Sequence, residues 1–145
     1  SSLIELNDRL ALNVVASYAR HTYEANIAPR GVTVVLDGLD MDTAPELVGN
    51  VQLDWEINPT SSLNFEWVHM DSYYTNESNL NRYEGHDLLN VRYRYEPSDS
   101  WWFSARVLNL LDTDYAERAD WTVFSGDRYF VGEPASIYLT AGFRF

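Results

Sequence analysis

Three histidines, His21, His69 and His86, are the first residues in this chain to test for metal or acid–base chemistry. They fall on different predicted elements and make no metal-ligand spacing. Each reads as an ordinary strand or loop residue. Asp37, Asp40 and Asp42 come nearer to a pattern, in Leu36-Asp37-Gly38-Leu39-Asp40-Met41-Asp42. A calcium loop also needs a glycine and a closing glutamate at set positions, and these do not match, so a solvated loop is expected. Asp54, Glu56 and Glu66 invite comparison with glycosidase carboxylate pairs. Acidic residues are so frequent here that such pairs arise by chance. There is no Gly-rich phosphate loop and no nucleophile elbow. The residues therefore point away from an enzyme, with no catalytic residue, metal ligand or cofactor to assign.

One segment is rich in side chains suited to recognition. Between 113 and 134 lie Tyr115, Trp121, Phe124, Arg128, Tyr129 and Phe130. Aromatic and arginine side chains on an exposed loop are typical of binding surfaces. The competing account is that some of them pack the loop down.

Composition narrows the class. The net charge of −12 argues against a nucleic-acid partner, whose phosphates require basic residues. Solvated acidic loops account for that charge; binding of a divalent cation or cationic ligand there is the sharper alternative. The chain has no cysteine. Aromatic residues make up 14% of it, yet mean hydropathy is slightly negative. That combination suits a sheet whose apolar residues all lie on one side. No run approaches the roughly 20 apolar residues of a membrane helix, which excludes helical membrane proteins but not barrels.

The elements that must carry these residues show a period of two. Ile137, Leu139, Ala141, Phe143 and Phe145 alternate with Ser136, Tyr138, Thr140, Gly142 and Arg144. Leu53, Trp55 and Ile57 alternate with Gln52, Asp54 and Glu56, and Val91, Tyr93 and Tyr95 with Asn90, Arg92, Arg94 and Glu96. The pattern predicts six strands near 8–25, 46–57, 62–75, 84–96, 100–112 and 135–145, with a stub at 2–6 as the tail of a seventh. Most match the roughly 9–11 residues that cross a bilayer at a tilt.

The connections alternate in length. Asn58-Pro59-Thr60-Ser61, Pro97-Ser98-Asp99 and Asn7-Asp8 read as tight turns, while 26–45, 76–83 and 113–134 are long links. Short turns at one end and long loops at the other is the layout of bacterial outer-membrane barrels. Trp55, Tyr93, Tyr95, Trp101 and Phe103 beside the short turns, with Tyr18 and Tyr73 toward the long loops, would form the two aromatic girdles. Asp54, Glu56, Glu66, Arg92, Arg94 and Arg106 then face a lumen, where mixed charges suggest a protein filling. The expected fold is all-β, an antiparallel transmembrane β-barrel in the bacterial outer membrane. Residues 1–145 would be the C-terminal part of one barrel domain, since the chain opens without Met and ends on Phe145 within an alternating strand. A complete small barrel with an adhesion or structural role, or a soluble lipid-binding barrel, is the alternative.

Two segments resemble a known family, the TonB-dependent outer-membrane receptors. Asn109-Leu110-Leu111-Asp112-Thr113-Asp114-Tyr115 looks like the family's Asn-Leu-Phe-Asp, two variable residues, Tyr, with Leu111 in place of Phe. Gly132-Glu133-Pro134-Ala135 before the last strand resembles the family's Gly-x-Pro-Arg, with Ala135 where Arg is common. The likeness covers roughly 95–145, and upstream strands by pattern alone. It implies a barrel of about 22 strands, of which this chain holds six or seven, plugged by an N-terminal domain that the chain lacks. It implies active uptake of a scarce nutrient, such as the metal chelate of a siderophore, energised through TonB. It also implies that Tyr138, Leu139, Gly142, Phe143 and Phe145 signal to the barrel-assembly machinery. Membrane lipid, the plug and the remaining barrel strands would be the other partners.

Overall fold

The computed structural model describes residues 2–31 and 33–144. Alternation of apolar and polar side chains produces a seven-stranded sheet in which sequence neighbours pair throughout, apart from short hairpins inserted in the long links. Its strands are β1 (Ser2–Asn7), β2 (Leu10–Tyr18), β3 (Leu47–Asn58), β4 (Ser61–Met70), β7 (His86–Ser98), β8 (Trp101–Leu108) and β11 (Ser136–Phe143). The insertions are β5 (Tyr73–Tyr74) with β6 (Arg82–Tyr83), and β9 (Ala116–Thr122) with β10 (Gly126–Val131). Every pairing is antiparallel. The strand predicted as a stub at 2–6 is a full partner of β2, with Ile4 opposite Leu12.

Register decides which face each residue occupies, because side chains alternate strictly along a strand. One row runs Leu12–Leu53–Phe65–Val91–Val107–Ile137 across six strands. The next runs Leu10–Trp55–Leu63–Tyr93–Ala105–Leu139. Leu139 and Ile137 are about two-thirds exposed, and Trp67 and Trp101 about half. A face this apolar and this open is suited to hydrocarbon rather than water. The opposite face carries the row Ala11–Asp54–Asn64–Arg92–Arg106–Tyr138.

At the short-turn end, side-chain amides close the turns. The Asn58 Oδ1 accepts from the backbone N–H and hydroxyl of Thr60 at 2.9 Å each, and the Asn7 Oδ1 accepts from the Arg9 N–H at 2.9 Å. Asn and Asp favour turns through this local bonding. At the other end the long links are not featureless.

Three expectations need correction there. The predicted strand 8–25 ends at Tyr18, after which the chain makes the isolated bridges Thr22–Asp40 and Ile27–Val34 and a short 3₁₀ turn at Pro29–Gly31. The predicted strand 62–75 breaks after Met70, where Gly85, at φ +80°, lies with its backbone against Met70. A Cβ at Gly85 would sit 2.3 Å from the Met70 carbonyl oxygen, a contact only glycine avoids. Tyr73, expected in a girdle, is buried within the loop layer instead. Trp67 and Tyr18 are exposed aromatics on the apolar face at that end.

Candidate functional site

The long-loop end is one hydrogen-bonded layer assembled from three separate links. The Thr43 N–H donates to the Tyr74 carbonyl at 2.8 Å, joining link 19–46 to β5. The Asp40 N–H donates to the Asn79 side-chain oxygen at 2.9 Å, while the Asn79 amide donates back to the Asp40 carbonyl at 2.8 Å. On the far side the Trp121 N–H donates to the Thr75 carbonyl at 2.9 Å, joining β9 to the β5–β6 hairpin. Backbone groups that loops would leave to water are paired across links, so the layer is preorganised.

Its small core is Tyr73, Ala116 and Ala119, with Met70 and Tyr83 packed against it. The two tyrosines dock β9 by the same device. The Tyr73 hydroxyl accepts from the Ala119 N–H at 2.7 Å and donates to the Ala119 carbonyl at 3.3 Å. The Tyr83 hydroxyl does likewise with Ala116, at 3.0 and 3.2 Å. Only an aromatic ring with a polar tip fills apolar space and ends on backbone groups in this way.

The motif at 109–115 ties this layer to the last strand. Asn109 is 2% exposed, at φ +48°, a left-handed conformation that asparagine tolerates. Its amide donates to the carbonyls of Thr113 at 2.9 Å and Glu133 at 3.1 Å, and its Oδ1 accepts from the Thr113 N–H at 2.9 Å. Asp112 accepts from the Ala135 N–H at 2.9 Å. The Tyr115 hydroxyl accepts from the Glu133 N–H at 3.2 Å, and its ring lies over Gly132, where a Cβ would come within 2.1 Å of it. Tyr115 also packs on His86, ring centroids 4.7 Å apart. Leu110 and Leu111 point outward, 45% and 69% exposed.

The recognition candidates separate accordingly. Tyr115 is engaged in the clamp just described. Phe124 stands at the tip of the β9–β10 hairpin, 97% exposed, and Tyr129 and Phe130 on β10 are about half exposed. Trp121 is partly buried on β9. Arg128 is held by Asp120, Nε to Oδ1 2.6 Å, and Arg118 reaches the same carboxylate at 3.2 Å. The Arg128 hydrogen bond, with the charges of both guanidinium groups, holds the Asp120 carboxyl below its ordinary range. The Arg118 guanidinium lies 5.8 Å from the Phe130 ring centroid. The hairpin thus presents aromatic rings and arginines on a locked frame.

A second group was not legible in the sequence. Arg20, His21, Asp40, Glu46, Tyr74 and Arg82 line a cavity of about 200 Å³ in the same layer. Arg20 bridges Asp40 at 3.1 Å and Glu46 at 3.4 Å. Nearby, the Tyr23 hydroxyl donates to Asp42 at 2.5 Å, which pushes its pKa up to about 12. The residues that line this cavity are separated by up to sixty-two positions, so only the tertiary fold gathers them. Among the described residues no group of three or more His, Asp or Glu side chains could hold a metal ion.

The six lumen candidates share the polar face. Glu66 accepts from the amides of Asn50, Gln52 and Asn90 at 2.6, 3.1 and 2.9 Å. Asp54 accepts from Asn64 at 2.8 Å, and Arg94 binds Glu96 at 2.8 Å. Arg92 pairs in register with Arg106. Glu56 lies opposite Ser62. Of the proposed assembly residues, Leu139 and Phe143 lie on the apolar face of β11 and Tyr138 on the polar face. Phe143 stacks on Trp101 at 4.8 Å, and Gly142 leaves room for the Trp102 indole. Phe145 lies outside the described residues.

With this geometry the class is plain: the chain has the fold of an open segment of a transmembrane β-barrel, roofed at one end by its own loops. It superimposes on the siderophore receptor PiuA from Acinetobacter baumannii with a TM-score of 0.80 at 16% identity, covering 97% of this chain and 20% of that one. It matches the ferric yersiniabactin uptake receptor FyuA from Yersinia pestis with a TM-score of 0.79 at 12% identity, covering 99% and 22%. For the ferric-catecholate import receptor Fiu from E. coli K12 the TM-score is 0.73 at 20% identity, with 97% and 19% covered. The chain spans about one fifth of the length of each. No protein-family model and no curated protein sequence matches it.

Proposed function

We propose that the chain is the C-terminal part of the barrel of a TonB-dependent uptake receptor in the bacterial outer membrane, taking up a ferric siderophore or similar metal chelate. The observation that carries this reading is the pairing of an apolar face, interrupted only by the His69–Asp87 pair toward the long-loop end among the described residues, with a structural match to siderophore receptors over nearly the whole chain. The apolar face meets membrane lipid. The polar face meets the plug and the rest of the barrel continues from the edges of β1 and β11. A complete small barrel would pair those two edges, and among the described residues they are unpaired.

The long-loop layer is then extracellular. Phe124, Arg128, Tyr129 and Phe130 on the locked hairpin supply part of the chelate-binding surface, and TonB acts through the N-terminal part of the receptor. The last strand also serves as the signal to the barrel-assembly machinery. Deleting Phe145 from the full-length receptor is expected to leave unassembled protein in the periplasm; normal insertion would reduce Phe145 to an interfacial anchor.

The test of the main reading is uptake. Cells lacking the full-length gene are expected to lose TonB-dependent accumulation of radiolabelled iron from one or more ferric siderophores, and to regain it on complementation. Unchanged accumulation across a siderophore panel, with the protein absent from the outer-membrane fraction, would refute it.

A further inference from the structure

The polar face brings two arginines together with no carboxylate in contact with either. Arg92 on β7 and Arg106 on β8 are direct cross-strand partners. Opposed side chains on one face lie about 4.5–5.5 Å apart at Cβ, and like charges there destabilise a sheet. Among the described residues no carboxylate oxygen lies within 4.0 Å of either guanidinium, although Arg94 on the same strand binds Glu96. The nearby acids bond to neutral donors instead, and Glu66 and Glu133 act on Arg92 and Arg106 only through space. Asp54 takes the Asn64 amide, Glu66 takes three amides, and Glu133 takes the Tyr138 phenol.

The surroundings favour a guest of opposite charge. Arg106 is steadied over the Tyr138 ring, 4.9 Å from its centroid, which sets its planar donors without neutralising them. With Arg94, Ser104, Thr140 and the Trp102 and Tyr138 rings the two arginines line an open cavity of about 340 Å³, in which Arg94, already bound to Glu96, lies 5.0 Å from the Trp102 ring centroid. Two arginine forks, two hydroxyls and aromatic walls are the donor set for an oxyanion, since arginine binds carboxylate and phosphate bidentately.

We propose that Arg92 and Arg106 form an oxyanion site on the lumen wall, taking a carboxylate or phosphate group between them. The proposal rests on the polar face being a lumen. The oxyanion comes either from a carboxylate of the domain filling that lumen or from a free anion in transit. The same chemistry serves both sources, and one experiment separates them.

The full-length receptor in detergent, in chloride buffer free of oxyanions, is treated with phenylglyoxal, and modification at each arginine is followed by peptide mass spectrometry. Inorganic phosphate is the added probe. If the oxyanion belongs to the receptor, Arg92 and Arg106 resist modification without phosphate, and Arg92→Gln speeds modification of Arg106 about tenfold, as loss of one shared charge-assisted contact would. If it is free, both react without phosphate, and phosphate protects them saturably by about tenfold. Arg92→Gln then abolishes protection of Arg106. Should Arg92→Gln fail to give a heat-modifiable barrel, Arg92→Lys keeps the charge, removes the fork and is read the same way. Reactivity of Arg106 that neither phosphate nor the change at Arg92 alters would overturn the site. The lumen reading is checked separately: a Leu53→Cys receptor in liposomes that a hydrophilic maleimide labels would defeat that reading, whatever the arginines do.

Discussion

The strand belt and the loop layer above it are built on opposite principles. In the belt, stability is spread over repeating cross-strand rows, and each row repeats the same apolar-out, polar-in choice. In the layer, a few side chains act as hubs: Tyr73, Tyr83 and Asn79 each end on backbone groups of a different link, and Asn109 and Tyr115 on distant backbone groups of their own link. The belt therefore tolerates many conservative changes but no change of parity. The layer tolerates changes of hydropathy at its exposed tip but few at its buried polar hubs.

The widest break in this comparison is to separate the chain from the rest of its barrel. Residues 1–145 alone expose the unpaired edges of β1 and β11 and an apolar face, so the fragment is expected to aggregate in buffer. A monodisperse monomer with a cooperative melt would show that the belt is not what it is taken to be.

Within the full-length protein, Leu53→Arg puts a charge on the apolar row, which the proposed function turns toward lipid. It is expected to cost roughly 2–4 kcal/mol in a refolding titration into liposomes, the usual penalty at mid-bilayer. Gln52→Arg, one position away on the polar face, should escape that penalty, and equal losses would disprove the parity. Asn90 is a poor control despite its parity, because its side chain also accepts from the Asn109 N–H at 2.9 Å.

The layer should answer to Asn109. Replacing it with alanine leaves the Glu133 and Thr113 carbonyls without their amide donor and puts a less suited residue at φ +48°. A loss of about 1–3 kcal/mol is expected. It should appear as faster proteolysis within 113–134 while the barrel transition moves little. A barrel transition that falls in step with the loop would mean that belt and layer are one cooperative unit.

The mildest test is acid. Asp120 has its carboxyl lowered chiefly by the Arg128 hydrogen bond. A lowered folded value means that its contribution to the hairpin is complete above the ordinary carboxylate range, near pH 4, and is lost as pH falls through the lowered value. Pepsin cleavage near Phe124 and Tyr129 should accelerate as pH drops below that range in the wild type. In Asp120→Asn the hairpin should already be loose, with less added effect of acid on its opening. Identical pH profiles would remove the ion pair from the account of the layer.

How much could be read beforehand divides along the same line. The belt was legible because period-two patterning is written in consecutive residues, and β11 and β8 follow it pair by pair from Ser136–Leu108 to Phe143–Trp101. The short turns were legible in Asn58 and Asn7, whose bonds are local. The layer was not. Tyr73 carries the same aromatic ring as a girdle tyrosine, and nothing near it in the chain announces Ala119, forty-six residues away. The β9–β10 hairpin was missed because its apolar and polar residues do not alternate as in a spanning strand.

By itself, then, the amino-acid order determined the spanning strands other than β1, their parity and the end at which the long links gather, since these depend on side-chain alternation and turn chemistry between neighbours. The tertiary structure alone decided that the links fuse into one layer, that Asn109 and Tyr115 clamp it to the last strand, and that Arg92 faces Arg106. Those outcomes depend on strand register and on hydrogen bonds between distant segments, and register emerges only when whole strands pair.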